Sequence, residues 1–207
     1  MDKIWSNRMI TITDRQQEFD LTMSSAWIGH REFANWLVTR MQPGVIVDLG
    51  IHYGFSTFAF AEQRTGEVFG IDSFEGDSDA GVFDDAARES IYNGVMEFKE
   101  LHQLNHVHII KGYFNDVAKT WTRSIDILHI DGHHSFESVK NDYETWSSFL
   151  KENGVVLFHD TVAHRGVKDF FNSITLPKLN FEHSAGLGVV TQNQELLSAI
   201  NDKWNLS

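Results

Sequence analysis

Five short apolar runs, VIVDLG (45–50), EVFGID (67–72), VHIIKG (107–112), IDILHID (125–131) and GVVLFHD (154–160), recur along this chain with amphipathic stretches between them. Runs this short, rich in Val and Ile, belong to strands buried on both faces, and a parallel sheet covered by helices provides that burial. The pattern therefore points to an α/β class with a doubly wound, mostly parallel sheet. Helices are expected over 56–64, 136–150 and about 166–174. In FESVKNDYETWSSFL the residues Val139, Tyr143, Trp146 and Leu150 make one apolar stripe able to pack on the sheet. LNFEHSAGLGVVTQN reads as two further strands around a Gly-rich turn, an antiparallel hairpin at the sheet edge that brings the strand total to seven.

Upstream, Phe19, Met23, Trp27, Phe33, Trp36 and Leu37 return at roughly helical spacing across 14–40, with a break at Gly29 and a stop at QPG. Residues 1–42 thus read as an N-terminal helical extension and 43–207 as one domain, a size that supports a single core. Residues 73–106 exceed an ordinary strand-to-strand connection. Their helical part, 84–102, aligns Ala87, Ile91, Val95 and Phe98; the Gly-, Asp- and Ser-rich part before it is either a lid over the strand ends or a solvated acidic loop.

Composition excludes several functions. A net charge of −12 disfavours nucleic acid and anionic membrane surfaces as partners. The absence of cysteine removes disulfides, thiolate nucleophiles and Cys-based zinc sites. The opening MDKIWSNRMITITD has neither a signal-peptide pattern nor a membrane-spanning run, so a cytoplasmic enzyme is expected.

Ligands of open parallel sheets bind beyond the carboxyl ends of the strands, where Asp48, Asp72, Asp131 and Asp160 all fall. One such acid alone would be read as a helix cap; four together suggest a site. In VDLGIHYGFST, Gly50 and Gly54 permit a tight strand-to-helix turn and close approach of a ligand to the backbone. The G-x-x-x-G spacing departs from the dinucleotide fingerprint, and Asp72 follows at about the distance from which a carboxylate accepts hydrogen bonds from both ribose hydroxyls. An adenosine-containing ligand without a required phosphate fits best. If the fourth and fifth strands are neighbours, their ends lie about 4.8 Å apart, and Asp131 and Asp160 can grip one cation with His159 and His134 at hand. Carboxylates favour Mg²⁺ or Mn²⁺, whereas imidazole shifts preference toward transition metals. His129 reads as a hydrogen-bonded core residue, His133 as either site or solvent, and His102, His106 and His108 carry no assigned chemistry.

In order and spacing, VDLGIHYGFST, GIDSFEGD, KGYFNDV, LHIDGHHSFESVKNDYETW and NGVVLFHDT resemble the class I S-adenosylmethionine-dependent methyltransferases of the macrocin O-methyltransferase and cephalosporin-hydroxylase-like group, over roughly 43–191. The resemblance implies a Rossmann-like sheet and methylation of a hydroxyl on a small molecule or glycan sugar, with divalent-metal assistance. By position, Gly50, Gly54 and Ser56 would cradle the methionine part, Asp72 the ribose, and Gly112 with Tyr113 the adenine. Asp48, His52, Tyr53, Ser73 and Asp131 join them as cofactor-binding candidates. Asp131, His159 and Asp160 match metal-ligand positions, with Asp131 also placed in catalysis, and His134 matches a general base. The chain departs from that group at His52, where the loop has a glycine, and at His159, where better-characterised members carry a carboxylate.

These residues assign a shared task to Asp131, His134, His159 and Asp160: orienting and deprotonating one hydroxyl for in-line attack on a sulfonium methyl. Two alternatives stand beside it. One is a metal-dependent hydrolase or oxygenase that uses the His/Asp cluster alone; the other is a non-catalytic cofactor-binding subunit with Trp5 and Trp204 as contacts. A homo-oligomer is compatible with either.

Overall fold

The computed structural model describes residues 25–77 and 81–206, so the expectations for Trp5, Phe19 and Met23 lie outside the described residues. Each of the five apolar runs forms a strand: β1 (Val45–Leu49), β2 (Glu67–Asp72), β3 (Val107–Lys111), β4 (Ile125–Ile130) and β5 (Leu150–His159). The hairpin supplies β6 (Lys178–Phe181) and β7 (Leu187–Thr191). They form one seven-stranded sheet in the order β3-β2-β1-β4-β5-β7-β6, parallel except that β7 runs antiparallel to β5 and β6. Strand order reverses between β1 and β4, which opens the crevice where a ligand of such a sheet binds.

Strand alternation divides the core in two. Ile46 and Ile127 face a cluster with Trp27, Phe33, Leu37, Phe58 and Phe98, while Val47, Leu49 and Leu128 face another with Val139, Trp146, Phe158 and Phe170. The first face carries a 3-10 turn (Ala26–His30), α1 (Arg31–Met41), α2 (Phe55–Ala61) and α3 (Asp85–Leu101). The second carries α5 (Phe136–Trp146) and α6 (Arg165–Ser173), preceded by a short α4 (Phe114–Ala118). α7 (Gln194–Trp204) returns to the first face, where Trp204 packs edge-on against Phe33, Trp36 and Phe181. This tryptophan, a candidate contact under the cofactor-binding-subunit alternative, instead packs on the body, the commoner role of a tryptophan near a terminus.

Three details differ from the sequence expectation. The apolar stripe of α5 ends at Trp146, and Leu150 opens β5 while still packing on the same cluster. Neither α4 nor α7 was anticipated. Within the stretch expected as helix, Ala26–His30 form a 3-10 turn ahead of α1, with Gly29, read as a break, inside it; 14–24 lie outside the described residues.

The 73–106 segment has a defined build. Gly76–Asp77 pairs antiparallel with Gly81–Val82, and α3 follows, capped by the Asp84 carboxylate, which accepts the Ala87 N–H at 2.8 Å. Arg88 ties this helix to Glu75 at 3.1 Å, and Glu75 accepts a 2.7 Å hydrogen bond from the Tyr113 hydroxyl. Among the described residues no helix is long and apolar enough to cross a membrane.

Candidate active site

A cavity of about 630 Å³ opens at the carboxyl ends of β1, β2, β4 and β5. Gly50, His52, Tyr53, Ser56, Asp72, Ser73, Gly112, Tyr113, Asp131, His134, His159 and Asp160 all line it, so most of the sequence-derived candidates share one space. Phe74, Gly76, Phe83 and Ile91 of the 73–106 segment also line it, so that segment borders the same space. His52 stacks on Phe83 at 5.7 Å and lies 4.0 Å from the Tyr53 ring, linking the glycine loop to the 73–106 segment.

The β1–α2 loop owes its path to Gly50. Its φ is +88°, and a side chain there would collide with the Asp131 carbonyl, so loop and β4 end touch through backbone alone. Gly54 and Asp48 do not reach the cavity lining. Gly54 turns the chain into α2, donating its N–H to the Ile51 carbonyl at 2.6 Å. Asp48 has the same strand parity as Ile46 and is wholly buried behind the wall. Its Oδ2 accepts the Ser56 and Thr57 hydroxyls at 2.7 and 2.6 Å, and its Oδ1 lies 2.6 Å from His129 Nδ1. His129 in turn accepts the Trp27 indole N–H on Nε2 at 3.1 Å, so its proton is on Nδ1 and is donated to Asp48. His129 is thus the hydrogen-bonded core residue expected, and Asp48 is a positioning group that acts on Ser56 rather than a direct ligand.

Asp72 also has structural duties. Oδ2 accepts the N–H groups of Ile51 and His52, both at 2.9 Å, and Oδ1 accepts that of Phe74 at 2.7 Å. A carboxylate offers about four acceptor positions. Three are filled, which leaves Asp72 room for one further donor rather than the two ribose hydroxyls expected.

At the ends of β4 and β5 the acids converge. His159 Nδ1 lies 3.2 Å from Asp131 Oδ1 and 3.3 Å from Asp160 Oδ2, while His134 Nε2 is 2.9 Å from the same Asp160 oxygen. Asp160 holds a left-handed backbone, φ +64°, uncommon for a non-glycine residue and often found at working sites. Burial opposes charge on all three of the innermost groups, yet mutual attraction prevails. His159 is pushed up to about 10 by Asp131 and Asp160 against that burial, and both carboxyls are held below their usual range. His133 is exposed at the cavity mouth and accepts the Ser135 N–H on Nδ1 at 3.2 Å, a turn-forming role.

Sequence reasoning missed two residues here. His164 stacks on His134 with ring centroids 3.9 Å apart, and Trp27 forms part of the wall. The only sequence signal for His164 was its position four residues after Asp160, where its N–H donates to the Asp160 carbonyl at 3.0 Å.

Comparison with known proteins agrees with this geometry. Residues 47–161 match the model of a family described as a methyltransferase domain. An uncharacterised protein of Sinorhizobium fredii, y4gI, is 34% identical over 186 residues, which is 85% of this chain but 20% of that protein. The chain therefore spans about a fifth of the length of that relative. A methyltransferase from Geobacter sulfurreducens superposes with a TM-score of 0.57 at 18% identity, covering 88% of this chain and 82% of the other. The O-methyltransferase TomG from Streptomyces achromogenes, solved with SAM, gives 0.60 at 14% identity and covers 79% of each chain.

Proposed function

The chain belongs to the methyltransferase-domain family, and from that premise we propose that it is an S-adenosylmethionine-dependent O-methyltransferase acting on a hydroxyl of a small molecule or glycan sugar. The observation that carries this reading is the single cavity, with the Gly50 turn and Asp72 on one wall and the His134–Asp160 pair on another. The turn and Asp72 fit the donor: the loop presents backbone where a side chain is sterically barred, and Asp72 retains one acceptor position for a ribose hydroxyl. Ser56, held by Asp48, faces the methionine part, with His52 and Tyr53 beside it. Ser73, Gly112 and Tyr113 line the same cavity, where Ser73 would adjoin the ribose and Gly112 with Tyr113 would border the adenine.

Attack on a sulfonium methyl requires an oxygen held in line and relieved of its proton. His134 Nε2 lies 2.9 Å from Asp160 Oδ2, a contact that orients the imidazole proposed to take the acceptor proton. A positioned base of this kind contributes about 10²- to 10⁴-fold. Asp131, His159 and Asp160 offer donors spaced as neighbours around one ion, and they would hold a divalent cation such as Mg²⁺ or Mn²⁺. Bound there, a cation supplies a Lewis acid that lowers the pKa of the acceptor oxygen. The macrocin-type resemblance of Asp131 through His134 supports a sugar or similar polyol as acceptor.

Calorimetric titration with S-adenosylhomocysteine tests the donor reading, and His134→Ala tests the base. The variant should bind S-adenosylhomocysteine as the parent does while its product release over a panel of hydroxylated acceptors falls by about 10²-fold or more. Equal loss of binding and turnover would remove His134 from proton transfer. A second reading has one observation in its favour: His134, Asp160 and His164 cluster as two imidazoles and a carboxylate, a set used by metal-dependent oxygenases. No S-adenosylhomocysteine binding at millimolar ligand would favour it.

A further inference from the structure

The orientation of His159 is fixed by a part of the chain outside the cluster. His159 Nε2 lies 3.1 Å from the Ser184 backbone carbonyl, which can only accept, so Nε2 carries a hydrogen. That carbonyl belongs to a turn in which Ser184, Ala185 and Gly186 all have positive φ, at +51°, +69° and +96°. It also takes a hydrogen bond at 3.1 Å from Nε2 of the wholly buried His30. Because a carbonyl can only accept, His30 Nε2 also carries a hydrogen, and that hydrogen points at Ser184. From the other side the Gly29 backbone packs so closely that a side chain there would strike Ser184 Oγ. The carbonyl is thus fixed twice over.

With Nε2 committed, Nδ1 is the only nitrogen His159 can turn toward Asp131 and Asp160, at 3.2 and 3.3 Å. Two donors about 2.1 Å from one ion lie about 3.0 to 3.4 Å apart, so these two separations match a shared cation that replaces the Nδ1 proton. A histidine that ligates through one nitrogen and donates its other N–H to a carbonyl is the usual arrangement at metal centres. We propose that Asp131 Oδ1, His159 Nδ1 and Asp160 Oδ2, with His159 oriented by the Ser184 carbonyl, form a nitrogen-containing site that selects a first-row transition ion over Mg²⁺. This rests on the placement of the cation proposed above but not on methyl transfer, and His134 remains outside the ligand set, bonded to the same Asp160 oxygen.

The test uses the full chain stripped by chelator and titrated calorimetrically with Co²⁺ and with Mg²⁺. Any N/O site prefers Co²⁺ to Mg²⁺ to some degree, so the decisive quantity is the ratio of the two affinities in wild type against His159→Asp. That ratio should fall at least tenfold in the variant, and the visible Co²⁺ absorption should change with it. Nitrogen-15 NMR of the wild-type imidazoles needs no variant: Zn²⁺ should move the Nδ1 resonance of one histidine that keeps its Nε2–H. An unchanged ratio, a Co²⁺ spectrum lost in His164→Ala but kept in His159→Asp, or no binding of either ion at millimolar concentration would each overturn the proposal. S-adenosylhomocysteine binding on the same samples reports separately on the donor pocket, so the two readings fail independently.

Discussion

Asp142, on α5, is buried against Gly132 and Phe114, behind the loop that carries Asp131 and His134, and it offers the most quantitative test of the packing. Burial pushes its carboxyl up from 3.8 to about 6, opposed only by the Asn141 amide 3.5 Å away. The native pKa exceeds the unfolded one, so the native chain binds more protons between the two values. The contribution is full below about 3.8 and is lost as pH rises through about 6. At neutral pH the wild type holds a charge, or the cost of suppressing one, that Asp142→Asn does not. The displacement corresponds to about 3 kcal/mol at most. For a chain of this length that is about 6 to 12 °C in Tm. Urea denaturation of both proteins at pH 4 and pH 8 checks it: the variant should be the more stable at pH 8, with the advantage shrinking toward pH 4. Equal stability at pH 8, or a wild type that is more stable there, would show that Asp142 is solvated or paired and that this wall of the loop is not dry.

Trp27→Phe keeps the ring packing but leaves His129 Nε2 buried without its donor, so we expect a loss of about 1–3 kcal/mol in denaturant melts together with weaker S-adenosylhomocysteine binding. Unchanged stability would break the proposed line from Trp27 to Ser56. Gly50→Ala should fold, as judged by circular dichroism, yet bind S-adenosylhomocysteine at least tenfold more weakly, because a Cβ at φ +88° drives into the Asp131 carbonyl. Retained affinity would show that the loop yields. Tyr113→Phe, at an exposed position, should change stability by no more than about 0.5 kcal/mol while hydrogen exchange over 81–101 accelerates, since it frees Glu75 from its phenol. Unaltered exchange would mean that the Tyr113 phenol does not hold this segment.

The strands were legible because burial on both faces leaves an unbroken Val and Ile signature, and the acids at their ends marked the rim. That rule could not tell which side of the pleat each acid takes. Asp48 lies one residue before the end of β1, so alternation turns it into the α1–α2 face, whereas Asp131 and Asp160 lie one residue beyond their strands, at the cavity. α4, five residues long, is too short to show a period. α7 did leave a readable signal: Asn193 caps it by accepting the Leu196 N–H at 3.0 Å, and Leu196, Leu197 and Ile200 follow at helical spacing. His164 and the Ser184 carbonyl belong to loops whose paths depend on tertiary contacts, so beyond the spacing of His164 from Asp160 no local pattern pointed to them.

The bonded line from Trp27 through His129 and Asp48 to Ser56 joins the chain's leading turn to the wall assigned to the methyl donor. Exchanging the leading segment to retarget the enzyme would therefore disturb donor affinity even where the graft never touches the donor. An engineer who keeps one indole N–H at that spot keeps the two properties separable.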